Sequence, residues 1–108
     1  MLAHRRRFVL TPTKAGANID ASGRIEVRAH AAERHFEAGL DAAVSDGTTF
    51  VVLANGKPAG TITIAAGSGD LHLSNLDGVL PNGIAPFTAL SSVEVTDGHG
   101  TVLLVGQL

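Results

Sequence analysis

Apolar residues in this chain never run far before Gly, Asn, Asp or Pro intervenes, and many of the short runs alternate apolar with polar residues. Strands need only such segments, because their side chains alternate between two faces, whereas a helix needs a 3.6-residue apolar period sustained over roughly ten or more positions. The spacing predicts strands over 6–12, 23–31, 34–42, 48–54, 58–66, 69–75, 91–97 and 101–107. Gly78, Pro81, Gly83 and Pro86 make 76–90 a long crossover loop. The expected fold is all-β, an antiparallel β-sandwich or flattened barrel of seven or eight strands.

Hairpin registers can be read by requiring apolar residues to face apolar ones across the ladder. Asn55-Gly56 is the favoured pair for a type I′ turn, and it places Val51 and Leu53 on the face shared by Ile62 and Ile64. Gly67-Ser68 as a type II′ turn sets Ile64 opposite Leu71 and Ile62 opposite Leu73, so that 48–75 forms a three-stranded meander. A Gly98-His99 turn pairs Val95 with Val102 and Val93 with Leu104.

The segment 23–42 supports two readings. As a hairpin turning at 31–34, it sets Ile25 opposite Leu40, Val27 opposite Ala38 and Ala29 opposite Phe36, with Arg24–Asp41 and Arg28–Glu37 outside. As an alternative, a helix near 29–44 gathers Ala29, Ala32, Phe36, Leu40 and Ala43 on one face and makes the fold α+β. Gly39 in mid-segment costs a helix about 1 kcal/mol relative to Ala, and no Ser, Thr, Asp or Asn stands near its start to cap it. The hairpin is the expected form.

At 108 residues the chain suits one domain, 1–108, because each of two halves would be too small to bury a sufficient core. A net charge of −2, with the one basic run confined to Arg5-Arg6-Arg7, argues against nucleic acid as a partner. Without cysteine there are no disulfides or thiolate sites, and the compartment stays open. Phe8-Val9-Leu10 is too short for a signal-peptide core, and no stretch approaches the ~20 apolar residues of a membrane span.

Several pieces have the order found in small bacterial immunoglobulin-like and chordin-type β-sandwich domains. They are Phe8-Val9-Leu10-Thr11-Pro12-Thr13, Ala21-Ser22-Gly23, Asn55-Gly56 with Gly60, Leu80-Pro81, and Val93-Glu94-Val95-Thr96-Asp97 followed by Gly100 to Gly106. The chain resembles those domains, and the resemblance implies a sandwich fold. Chordin-type domains usually carry a His-x-His element, which is absent here. The resemblance therefore brings no ligand-binding role with it.

No catalytic motif stands out. Ser68 in Gly67-Ser68-Gly69 lacks the spacing of a nucleophile elbow, and there is no phosphate-binding loop, dinucleotide fingerprint or H-E-x-x-H. An enzyme is not expected, nor is a cofactor. In the hairpin register above, His30 and His35 face each other with Glu37 two residues on, so two imidazoles and a carboxylate could close on a metal ion. Asp46, Asp70, Asn75, Asp77 and Asp97 are oxygen donors at strand ends but lack the spacing of a calcium loop, and Asx turns explain them. With only four Phe and no Trp or Tyr, stacking on sugars or bases is poorly served.

If Val51, Leu53, Ile62, Ile64, Val93 and Val102 fill the core, then Phe50, Val52, Leu103 and Val105 point the other way. Apolar residues on a second face are either covered by another segment or form a contact surface. The expected function is a non-catalytic binding or structural module with a protein partner or a second copy of itself on that face. A small-ligand or metal-binding domain using His30, His35 and Glu37 is the alternative.

Overall fold

The computed structural model describes residues 4–76, 78, 80 and 90–107. Eight strands, β1 (His4–Pro12), β2 (Ser22–His30), β3 (Glu33–Asp41), β4 (Thr49–Ala54), β5 (Lys57–Thr63), β6 (Ser68–Ser74), β7 (Ser92–Thr96) and β8 (Val102–Gln107), fall within a residue or a few of the segments expected from turn chemistry. They join in one antiparallel sheet of order β5-β4-β7-β8-β1-β2-β3-β6 that is nearly closed, like a barrel, and the fold is all-β. Its two halves are linked by β1, which pairs with β2 along most of its length and with β8 through Thr11 and Pro12. Phe36, Leu10, Ile25 and Leu40 from one half meet Val52, Ile62, Val93, Val95 and Leu104 from the other in a common core.

The segment 29–44 is not a helix. It contributes to a β2–β3 hairpin whose register is two residues tighter than expected: Val27 faces Phe36, Ile25 faces Ala38, and Arg28 faces His35. A shift of two preserves which side chains face the core, so hydrophobic matching alone cannot distinguish the registers. The turn is the two-residue Ala31-Ala32, with Ala31 held at φ 52°. An alanine in the left-handed region carries no turn signature, because Gly or Asn is the usual occupant.

The Asn55-Gly56 turn forms as expected, with φ of 51° and 79°. Asn55 Oδ1 also accepts from the Ser91 and Ser92 N–H groups (2.8 and 3.1 Å), tying this turn to the start of β7. A Cβ on Gly56 would meet nothing within 4 Å, so its cost would come from the backbone alone. Gly56→Ala should therefore lower stability by ~1 kcal/mol or more, while replacing the exposed Thr63 should cost much less; thermal melts of both variants check this.

Beyond that turn the face assignment is reversed. A β-bulge between Val52 and Leu53 lets β5 advance by one residue, so Ile62 faces Phe50 and the buried series on β4 is Phe50, Val52 and Ala54. Because the pleat has a period of two, one extra residue moves a whole strand to its other face. Phe50 and Val52 are thus core residues, 3% and 0% exposed.

Leu103 is also buried, on the strand against which the one-turn helix α1 (Lys14–Ala17) packs. Thr13 caps that helix by accepting from the Gly16 N–H and donates its own hydroxyl proton to the Val102 carbonyl (2.6 Å). Val105 is half-buried opposite Thr11 and Glu94. The surface expected from Phe50, Val52, Leu103 and Val105 is consequently not an exposed apolar face: three of the four are buried and the fourth is half-buried. Among the described residues the large hydrophobics that are exposed are Val9 and Leu76, which stand apart.

Two further registers differ. The turn after β5 is Ala66-Gly67 (φ 52° and 83°), bracketed by the Ala65–Ser68 bridge, and β6 leaves β5 to pair with β3, so the meander over 48–75 does not form. In the C-terminal hairpin a bulge at Val95/Thr96 sets Val95 opposite Leu104 and Val93 opposite Gly106. The expected loop at 76–90 lies largely outside the described residues, of which Leu80 and Leu90 are buried.

A candidate functional site on the outer face of β1, β2, β3 and β6

The four strands β1-β2-β3-β6 carry apolar residues inward, and the alternate positions that point outward are almost all charged or polar. Registers across the four strands place these in rows: Arg5, Arg28, His35 and Ser74; Arg7, Glu26, Glu37 and His72; Val9, Arg24, Gly39 and Asp70. Neighbours within a row are one strand spacing apart, about 4.8 Å.

Glu26 is the anchor of this face. Its carboxylate lies 3.0 Å from Arg7 Nε, 3.3 Å from Arg5 Nε and 3.3 Å from Arg28 Nε. The Arg7 contact is a hydrogen bond, whereas Arg28 Nε is buried and misaligned, so its attraction to Glu26 is that of charge alone. With Arg5 and Arg7 more than half exposed, solvent screens both pairs, and each adds at most ~1 kcal/mol.

Beside this cluster the face is hollow. Gly39 removes a side chain from the third row, and the Arg24 guanidinium lies over the vacant position, 2.6 Å from where a Cβ would stand. The result is an open groove of about 720 Å³ lined in part by Arg7, Arg24, Glu37, Asp41 and Asp70. Arg24, Glu37, Asp41 and Asp70 form no ion pair with any described residue. The expected Arg24–Asp41 cross-strand pair is absent because the tighter hairpin register puts Gly39 opposite Arg24 and Ser22 opposite Asp41.

The expected metal set is only partly assembled. His30 faces Glu33 at the exposed end of the hairpin, and His35 faces Arg28, so these two histidines are not partners. His35 instead meets His72 of β6, with His35 Nδ1 3.3 Å from His72 Nε2. The rings are parallel to within 3° and their centroids are 5.5 Å apart, nearly the nitrogen separation plus two ring radii, so they lie edge to edge close to one plane. Glu37 is the cross-strand partner of His72. Among the described residues, no three His, Cys, Asp or Glu side chains already converge on a common point.

The acidic strand ends are occupied by turns. Asp46 Oδ1 accepts from the Ala66 N–H, Asn75 Oδ1 from the Arg34 N–H, and Asp97 Oδ1 from the N–H groups of His99 and Thr101. The His99 N–H, above all, holds the Asp97 carboxyl below its ordinary range. Asp77 lies outside the described residues. Ser68 is an exposed strand residue opposite Asp41.

Comparison with known proteins finds no family model, no curated protein and no solved structure that matches the chain. No helix among the described residues is long and apolar enough to cross a membrane. The residues of the groove were missed from sequence because the outward alternation on each strand is legible, but its neighbours across the β3–β6 ladder are not.

Proposed function

We propose that this domain is a non-catalytic binding module that takes a basic segment of a protein partner into the groove on the outer face of β1-β2-β3-β6. The observation that carries this reading is the set of Glu37, Asp41 and Asp70, three carboxylates with no ion partner among the described residues, around a groove whose floor at Gly39 is covered by the Arg24 guanidinium. A glycine in the middle of a strand leaves room for a close approach, and here the group that approaches is the Arg24 guanidinium. Arg24, stretched along the groove floor, is free to bind a carbonyl or carboxylate of the same ligand, and a guanidinium does so through two parallel N–H donors. The resemblance to small immunoglobulin-like domains is proposed for the fold alone and adds nothing to the binding role.

An arginine- or lysine-rich peptide added to the isotope-labelled domain should shift the backbone amide signals of Glu37, Gly39, Asp41 and Asp70, and the effect should weaken as salt is raised. The double variant Asp41→Asn, Asp70→Asn should lose most of the shift while remaining folded, since both side chains are exposed. Shifts scattered over other faces, or unchanged in the variant, would overturn the reading.

A further inference from the structure

A second feature of the same face, independent of the groove, is the meeting of His35 and His72. In line and nearly coplanar, His35 Nδ1 and His72 Nε2 can form a bond only if one carries a proton and the other presents a lone pair. Glu33 Oε2 lies 3.6 Å from the other nitrogen of His35, Nε2. That is beyond hydrogen-bond length, but the negative charge favours the tautomer with its proton on Nε2, which leaves the Nδ1 lone pair facing His72. Metal-ligating histidines commonly donate the other ring N–H to a carboxylate, and Glu33 stands on that side of His35, though farther off than a hydrogen bond.

The distance agrees. Two metal–nitrogen bonds of 2.0–2.1 Å at a tetrahedral angle separate their nitrogens by about 3.3 Å, the spacing His35 and His72 already have. We propose that a divalent transition-metal ion, Zn²⁺ or Cu²⁺, binds between His35 Nδ1 and His72 Nε2. The ion takes the place of the proton between the rings: His72 gives up its Nε2 proton and takes one up at Nδ1 through solvent, so that both ligands are neutral imidazoles, and each ring turns by about 35° to aim its lone pair at an ion lying off the line between the two nitrogens. Its remaining positions are filled by water. His72 is exposed, so the ion has a path in. Arg28, opposite His35, brings a positive charge close; Glu26, shared among Arg5, Arg7 and Arg28, offsets it only in part, and Glu37, opposite His72, adds a second negative charge.

The test is calorimetric titration of the tag-free domain with zinc chloride, and separately with copper chloride, in a non-chelating buffer at neutral pH. One equivalent should bind, copper more tightly than zinc as the usual order of divalent affinities requires, and the thermal midpoint should rise. His72→Ala should weaken binding on the order of tenfold or more with the circular dichroism spectrum unchanged, whereas His30→Ala and His99→Ala should bind as the parent does. Glu33→Gln should weaken binding less than His72→Ala does, because Glu33 acts on His35 only through its charge at 3.6 Å. Absence of binding by the folded parent, or equal affinity in parent and His72→Ala, would overturn the site. Both outcomes are separable from the peptide experiment, which uses neither histidine.

Discussion

Val52→Glu should unfold the domain or leave it only marginally stable. Val52 is fully buried, paired on one side with Gly60 and on the other with Val95, and its neighbours are the apolar side chains of the common core. A carboxylate placed there finds no described cation, and an uncompensated buried charge costs ~3–5 kcal/mol or more. The longer side chain adds ~1–3 kcal/mol of overpacking, and against a total of about 5–15 kcal/mol for a domain of this kind the two together take a large part of the stability, and all of it at the lower end. The control is Val105→Glu: Val105 is half-buried, its new carboxylate can reach water, and a cooperative melt should survive at a modestly lower temperature. Urea unfolding followed by circular dichroism distinguishes the two. A well-folded Val52→Glu protein would mean that β4 presents Phe50 and Val52 outward after all, and would restore that surface as an interface.

Replacing Gly69 by Ala should cost ~1–3 kcal/mol, the usual range for forcing atoms into a packed site. A Cβ at Gly69 would stand 2.6 Å from the Thr63 carbonyl oxygen and 2.6 Å from Ile62 Cγ2. Thr63 and Ile62 belong to β5, and Gly69 to β6, so relief requires the backbone to open where the two ends of the sheet approach. Gly39→Ala makes a contact of the same length, but with the end of the Arg24 side chain, which can swing into solvent. Its cost should stay within about 0.5 kcal/mol. Denaturant midpoints report both, and equal midpoints would show that β5 and β6 do not close on each other.

The candidate site illustrates what can be read along one strand and what cannot. His35 and Glu37 point outward from β3 in either register, because a shift of two preserves faces. Their neighbours do not survive the shift: His35 loses His30, and the ladder to β6 supplies His72 from a segment expected to pair with β5. The same ladder brings Asp70 beside Gly39, a residue whose sequence signal was only that it weakens a helix. Charge patterns on single strands were therefore legible, whereas the groove they frame was not.

Turn chemistry and period-two alternation are local, decided by a residue and its immediate neighbours, so the sequence by itself determined that this protein is all-β and where its eight strands lie. It also determined the Asn55-Gly56 turn, since only residues tolerant of positive φ suit both positions. The tertiary structure alone decided how the strands are ordered, because the β3–β6, β4–β7 and β1–β8 ladders join segments far apart in the chain with no turn between them to set a register. It alone decided that Phe50 and Val52 face inward, since the bulge opposite them inserts one residue and reverses the pleat. That single residue turned Phe50 and Val52 from an expected contact surface into core, while the outward rows of β1-β2-β3-β6 stayed charged and polar.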